Sequence, residues 1–170
     1  YNEDSSLVIT FNGEIYNYQP LREQLIEAGH TFTTKSDTEV LLHGYEEWGV
    51  ELLQKIRGMF TFVIWDRNKR ELFGARDHFG IKPFYYAKMN GTFMYASEIK
   101  SLLQHPDFVK ELNEKALKPY MTFQYPAIGE TFFKGVFKLP EGHYFTYRDG
   151  KMSIHEYYDE HFREASTMLD

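Results

Sequence analysis

Met59-Phe60-Thr61-Phe62-Val63-Ile64-Trp65-Asp66 is the strongest strand signal in the chain. Its apolar residues do not alternate with polar ones, so a strand here is buried on both faces. The polar turn Arg67-Asn68-Lys69-Arg70 leads into a returning strand, Glu71 to Ala75. Lys82 to Lys88 and Thr92 to Ala96 read as a hairpin about Met89-Asn90-Gly91, and His143 to Tyr147 with Met152 to Tyr158 as another about Arg148-Asp149-Gly150. Connections this short make antiparallel pairs. An antiparallel sheet usually leaves one face to water, so a strand apolar on both faces needs a cover on each side. A second sheet on one side and helices on the other give a four-layer α/β/β/α stack.

The helices come from capping and periodicity. Asn17 is placed to cap a helix with Pro20 in its first turn and Leu21, Leu25 and Ala28 on one face, ending at Gly29. His30 to Thr34 reads as a short strand. Ser36-Asp37-Thr38-Glu39 is a capping box, in which the Ser36 hydroxyl serves the Glu39 N–H and Glu39 reaches back to Ser36. The helix behind it carries Leu41, Tyr45 and Trp48 on one face and breaks at Gly49. Shorter helices are expected over 50–55 and 98–104, and a further one over 115–121 capped by Asn113. Gln124 to Pro140 is loop-like with Thr131 to Leu139 partly extended, and 160–170 is polar and weakly patterned.

Fifteen Phe and 13 Tyr supply a large core without staples. A domain of this size buries roughly 70% of its unfolded surface. The absence of Cys removes disulfides, thiolate metal sites and Cys nucleophiles from these 170 residues. A net charge of −6 argues against a nucleic-acid or acidic-membrane surface. No apolar run approaches the about 18 residues a membrane span needs. The expectation is a soluble, cytoplasmic protein. The chain starts without Met, leading directly into a strand, and reads as part of something longer.

Asn12-Gly13-Glu14-Ile15-Tyr16-Asn17 has two readings, and alone the turn is favoured. It follows the strand Leu7 to Phe11, which is expected to stop at Asn12-Gly13. Asn-Gly is among the commonest turn dipeptides. It also sets a side-chain amide donor beside an accessible backbone N–H, which is what an oxyanion hole requires. Asp37 has two readings as well. An acid in a first turn favours the helix dipole. With Ser36 and Glu39 already capping, its carboxylate is also free to hold a cationic group. Arg76 to Pro83 is a dense polar loop in which Arg76 and Asp77 can pair and bind loop backbone. His78 has no Ser–His or Cys–His partnership to make it a general base. The histidines show no metal-ligand spacing, and no Gly-rich phosphate loop is present.

In combination these segments resemble a family. Asn12 to Asn17, Ser36-Asp37-Thr38-Glu39-Val40, Gly58-Met59-Phe60, Arg76 to Pro83 and Ser97-Glu98-Ile99-Lys100 stand in the order found in class II glutamine amidotransferase domains, which are N-terminal-nucleophile hydrolases. Thr131-Phe132-Phe133-Lys134-Gly135-Val136 and Leu139-Pro140-Glu141-Gly142-His143 resemble the asparagine synthetase branch, with Glu141 where that branch usually has Pro. The resemblance implies an α+β fold, a four-layer α/β/β/α sandwich of antiparallel sheets, here without its first strand. It implies hydrolysis of glutamine to glutamate and ammonia by an N-terminal Cys lying before Tyr1. Asn12 and Gly13 would form the oxyanion hole, Asp37 would bind the α-amino group of glutamine, and Glu14 would line the same pocket. Residues 1–159 would be the amidotransferase domain and 160–170 a tail or linker to a C-terminal synthetase domain that is not in this chain. No metal or cofactor is expected here, with ATP and Mg expected in that synthetase domain. A homodimer is a further expectation. Two other readings are a different class II amidotransferase, forming glucosamine phosphate or phosphoribosylamine, and a non-catalytic interaction domain of the same fold. The missing first strand is expected to leave a gap beside Met59 to Asp66.

Overall fold

In the computed structural model, which describes residues 1–123 and 129–159, strand β2 (Gly58–Asp66) is paired on both sides. Strand β1 (Leu7–Ile15) runs antiparallel to it, from Leu7 opposite Asp66 to Ile15 opposite Gly58. β3 (Glu71–Arg76) returns along its other side. The gap expected beside Met59–Asp66 is therefore not there, because β1 fills it. The side of β1 away from β2 is an open margin of this sheet.

β1 also corrects the reading of Asn12-Gly13. The strand continues through both residues to Ile15. Gly13 is needed because a Cβ there would lie 2.2 Å from the Met59 carbonyl oxygen and 2.7 Å from Phe60 Cα. Gly58 answers from β2, where a Cβ would lie 2.2 Å from the Glu14 carbonyl oxygen. Two glycines let the strands approach closely, so the space kept at Gly13 belongs to a neighbouring strand.

The five-stranded sheet has the order β1-β2-β3-β7-β8, closed by the hairpin of β7 (His143–Arg148) and β8 (Lys151–Glu156). A three-stranded sheet has β4 (Tyr85–Met89) between β5 (Thr92–Ala96) and β6 (Val136–Lys138). Both hairpin turns have positive φ at their two central residues, Asn90-Gly91 and Asp149-Gly150. That is the twist-matched hairpin turn.

Helices α1 (Tyr18–Glu27), α2 (Asp37–Trp48) and α3 (Leu52–Lys55) cover the outer face of the larger sheet. Leu25, Leu41, Leu52 and Leu53 meet Phe60, Phe62, Ile64 and Phe73 there. Between the sheets lie Val63, Phe84, Leu139 and Phe145, with Phe93 stacked 4.3 Å from Tyr147. α4 (Ile99–Leu102) covers the far face of the smaller sheet through Leu102, against Ala87, Met94 and Val136. The layers run helix, sheet, sheet, helix as expected, and β2 is buried on both faces from Phe60 to Ile64.

Several local expectations are corrected. His30 to Thr34 is not a strand, because the N–H groups of Thr33 and Thr34 are taken by the Glu39 carboxylate at 2.7 Å each. Glu39 thus binds these two residues instead of reaching back to Ser36, while Ser36 Oγ does accept the Glu39 N–H, at 3.3 Å. Asn17 does not cap α1 with its side chain. Its amide donates to Lys55 O and accepts from Arg57 N–H, tying β1 to the end of α3. The helix α5 (Glu114–Phe123) starts directly after Asn113 as expected, and the Asn113 side-chain amide also donates to Thr131 O at 3.0 Å. The loop-like positions 124–128 and the tail 160–170 lie outside the described residues.

Candidate active site

The open edge of β1 is where the residues singled out from the sequence converge. Direction along this strand follows from its neighbours. Tyr16 N–H donates to Arg57 O at 2.7 Å, toward β2, so Ile15 N–H points the other way. Gly13 stands opposite Phe60, whose N–H and C=O both engage Asp77 on the far side of β2. Gly13 and Phe60 are thus a pair that exchanges no hydrogen bonds, and the Gly13 N–H points off the open edge. Among the described residues it has no acceptor there.

Asp37 meets the same edge. Its Oδ2 accepts the Ile15 N–H at 3.0 Å, two residues from Gly13. The carboxylate is half-buried in the first turn of α2, with no hydrogen bond to Oδ1 among the described residues. The turn is held by Glu39, whose carboxylate gathers the N–H and hydroxyl groups of Thr33 and Thr34. Burial alone raises the Glu39 pKa, but the hydrogen bonds from Thr34 and Thr33 outweigh it and hold it at about 2.

Asn12 leaves β1 on the face toward the smaller sheet. Its Nδ2 donates to Ser97 Oγ at 2.9 Å, and two residues earlier Thr10 Oγ1 lies 3.1 Å from Tyr95 OH. These residues line a cleft of about 210 Å³ between the sheets, with Phe11, Thr61 and Phe84 among its walls. An amide has two N–H groups, so the bond to Ser97 orients Asn12 and leaves one donor. Glu14 falls on the same face of β1, exposed. The structure therefore brings Asn12, Gly13, Glu14 and Asp37 to one edge. Ser97 is the member to which sequence reasoning gave no role at the site; it stood there only within the motif Ser97-Glu98-Ile99-Lys100.

The Arg76 to Pro83 loop is a brace. Arg76 and Asp77 are buried, yet they do not pair with each other. The Asp77 carboxylate accepts backbone N–H groups from Phe60, Phe79, Ile81 and Lys82. The Arg76 guanidinium donates to the carbonyls of Lys82, Leu139 and Gly80. His78 packs edge-on against Tyr158 with ring centres 4.4 Å apart, and burial, then the Arg57 charge, pushes its pKa down. It has no hydrogen bond to a serine or threonine among the described residues.

The chain belongs to the glutamine amidotransferase domain family, whose model matches residues 1–158. It is 45% identical to the glutamine-hydrolyzing asparagine synthetase 1 of Bacillus subtilis strain 168, over 99% of this chain and 27% of that one. It is 47% identical to a putative glutamine-hydrolyzing asparagine synthetase of Mycobacterium tuberculosis H37Rv, over 79% of this chain and 21% of that protein. The fold is also that of the glutamine phosphoribosylpyrophosphate amidotransferase of B. subtilis, with a TM-score of 0.62 at 22% identity, covering 94% of this chain and 31% of that one. The chain thus spans about a quarter of the length of the synthetases it resembles. No helix among the described residues is long and apolar enough to cross a membrane.

Proposed function

We propose that this chain is the glutaminase part of a glutamine-hydrolysing asparagine synthetase. The observation that carries the reading is the β1 edge, where the Asn12 amide, the Gly13 N–H and the Asp37 carboxylate stand within four strand positions of one another through the Ile15 bond. Glutamine would give its α-amino group to Asp37. Its side-chain carbonyl would then face Asn12 Nδ2 and Gly13 N–H, which stabilise the oxyanion formed on nucleophilic attack. These 170 residues hold no Cys, so the account assigns the nucleophile to a residue outside them. The ammonia released would pass to a C-terminal synthetase domain that activates aspartate with ATP and Mg, in the cytoplasm. The identities to asparagine synthetases favour aspartate as acceptor over the sugar-phosphate acceptors of other amidotransferases.

The test supplies full-length protein with glutamine, ATP, Mg²⁺ and aspartate. Asparagine and glutamate should form in equal amounts. Glutamate release with no asparagine would assign the ammonia to another acceptor and sink this reading.

A further inference from the structure

Away from the β1 edge, the fold gathers a second polar cluster that the sequence spacing hides. His30 follows α1, His43 lies in the second turn of α2, and their rings stand 5.1 Å apart. Glu3 arrives from the N-terminal segment, fixed by the Thr31 N–H on its carboxylate. One ligand atom from each of Glu3, His30 and His43 lies within 4.8 Å of the other two.

The His43 imidazole meets its carboxylate neighbours only at long range. The His43 side chain is only 1% exposed, yet its Nδ1 is 3.5 Å from Glu46 Oε2 and 3.7 Å from Glu3 Oε2. Its Nε2 is 3.8 Å from Glu39 Oε1. The one hydrogen bond of this buried imidazole, Nδ1 to Glu46, is thus a long one. His30 Nδ1 is 3.9 Å from the same Glu46 oxygen. A tetrahedral ion with nitrogen and oxygen bonds of about 2.0–2.2 Å holds its ligand atoms roughly 3.4 Å apart. The His43–Glu46, His43–Glu3 and His30–Glu46 separations lie within about 0.5 Å of that edge length, and Glu3 closes on His30 from within 4.8 Å.

We propose that Glu3, His30 and His43, with Glu46 as fourth ligand, bind a divalent transition metal ion, Zn²⁺ first. The surrounding groups match that role. His30 Nε2 lies 3.1 Å from Glu47 Oε2, the outer carboxylate contact that fixes a ligating imidazole. Glu46 is steadied by Asn2, whose amide donates to its Oε1 at 3.3 Å. Glu3, Glu39, Glu46 and Glu47 make the pocket acidic, and a dication offsets that charge. The ion would pin the N-terminal segment and the connection after α1 to α2, the helix that carries Asp37. Its role is structural, and no ligand belongs to the glutamine site.

The test strips the full-length protein with chelator and titrates Zn²⁺ against a chromophoric competitor, with Co²⁺ as a spectroscopic substitute. His43 is in the core, so Glu3→Gln and His30→Gln are the deciding variants. Wild type should bind one equivalent that each variant binds at least about tenfold more weakly, with a chelator-reversible rise in Tm and tetrahedral Co²⁺ bands lost in His30→Gln. No such equivalent in wild type, or equal affinity in all three proteins, would overturn the proposal.

Discussion

The Oδ2 atom of Asp37 accepts the backbone N–H of Ile15 at 3.0 Å, joining the first turn of α2 to the open edge of β1. The carboxylate is thereby held two residues from Gly13. Asp37→Asn keeps an acceptor for Ile15 and loses the charge. The account predicts a raised KM for glutamine with kcat little changed, because the charge holds the substrate equally in ground and transition states. Asp37→Ala also frees the Ile15 N–H and should lower Tm as well. Steady-state glutaminase kinetics on both variants check this, and a kcat loss without a KM change in Asp37→Asn would count against the binding role.

Ser97 acts through Asn12. Its Oγ accepts Asn12 Nδ2 at 2.9 Å, so Ser97→Ala leaves the amide without its orienting partner. Glutaminase kcat should fall by about the factor one neutral hydrogen bond supports, roughly 3- to 10-fold, while KM holds and Ser97→Thr restores most of the rate. A loss of stability with unchanged kcat would reduce Ser97 to a packing residue.

Gly13 and Gly58 are predicted to be intolerant of even a methyl group. Gly13→Ala drives a Cβ onto the Met59 carbonyl, and Gly58→Ala drives one onto that of Glu14. Overpacking of this kind costs about 1–3 kcal/mol. Urea unfolding of each variant measures it, and wild-type midpoints would contradict the close approach of β1 to β2.

Glu39 should make stability pH-dependent. Its folded pKa of about 2 lies below its ordinary value of 4.5. The stabilisation is therefore complete above about pH 4.5 and is lost as pH falls toward 2. The stability difference between wild type and Glu39→Gln should be full at pH 6 and vanish near pH 2. A difference independent of pH would show that the hydrogen-bonded carboxylate is not its source.

The layers were legible because they depend on local pattern. The unbroken apolar run of β2 demanded cover on both faces, and Asn90-Gly91 and Asp149-Gly150 announced their hairpins. What escaped depends on contacts between distant residues. Gly13 reads as a strand end until Gly58 is set opposite Ile15, two residues further along the strand. Thr33 and Thr34 look extended and are in fact bound to Glu39. Asn12 and Asp37 were legible as candidates only through several motifs taken together, since each alone has an ordinary structural role. Ser97 stood in a resembling motif, but its contact with Asn12 was not legible, because it crosses from one sheet to the other.

The central claim is that the Asn12 amide stabilises the oxyanion, and one comparison tests it directly. In the full-length protein, Asn12→Ala should lower glutaminase kcat by roughly 10²–10³ and leave ammonia-dependent amidation of aspartate at the wild-type rate. Glutaminase at the wild-type rate, or both activities falling together, would contradict the account.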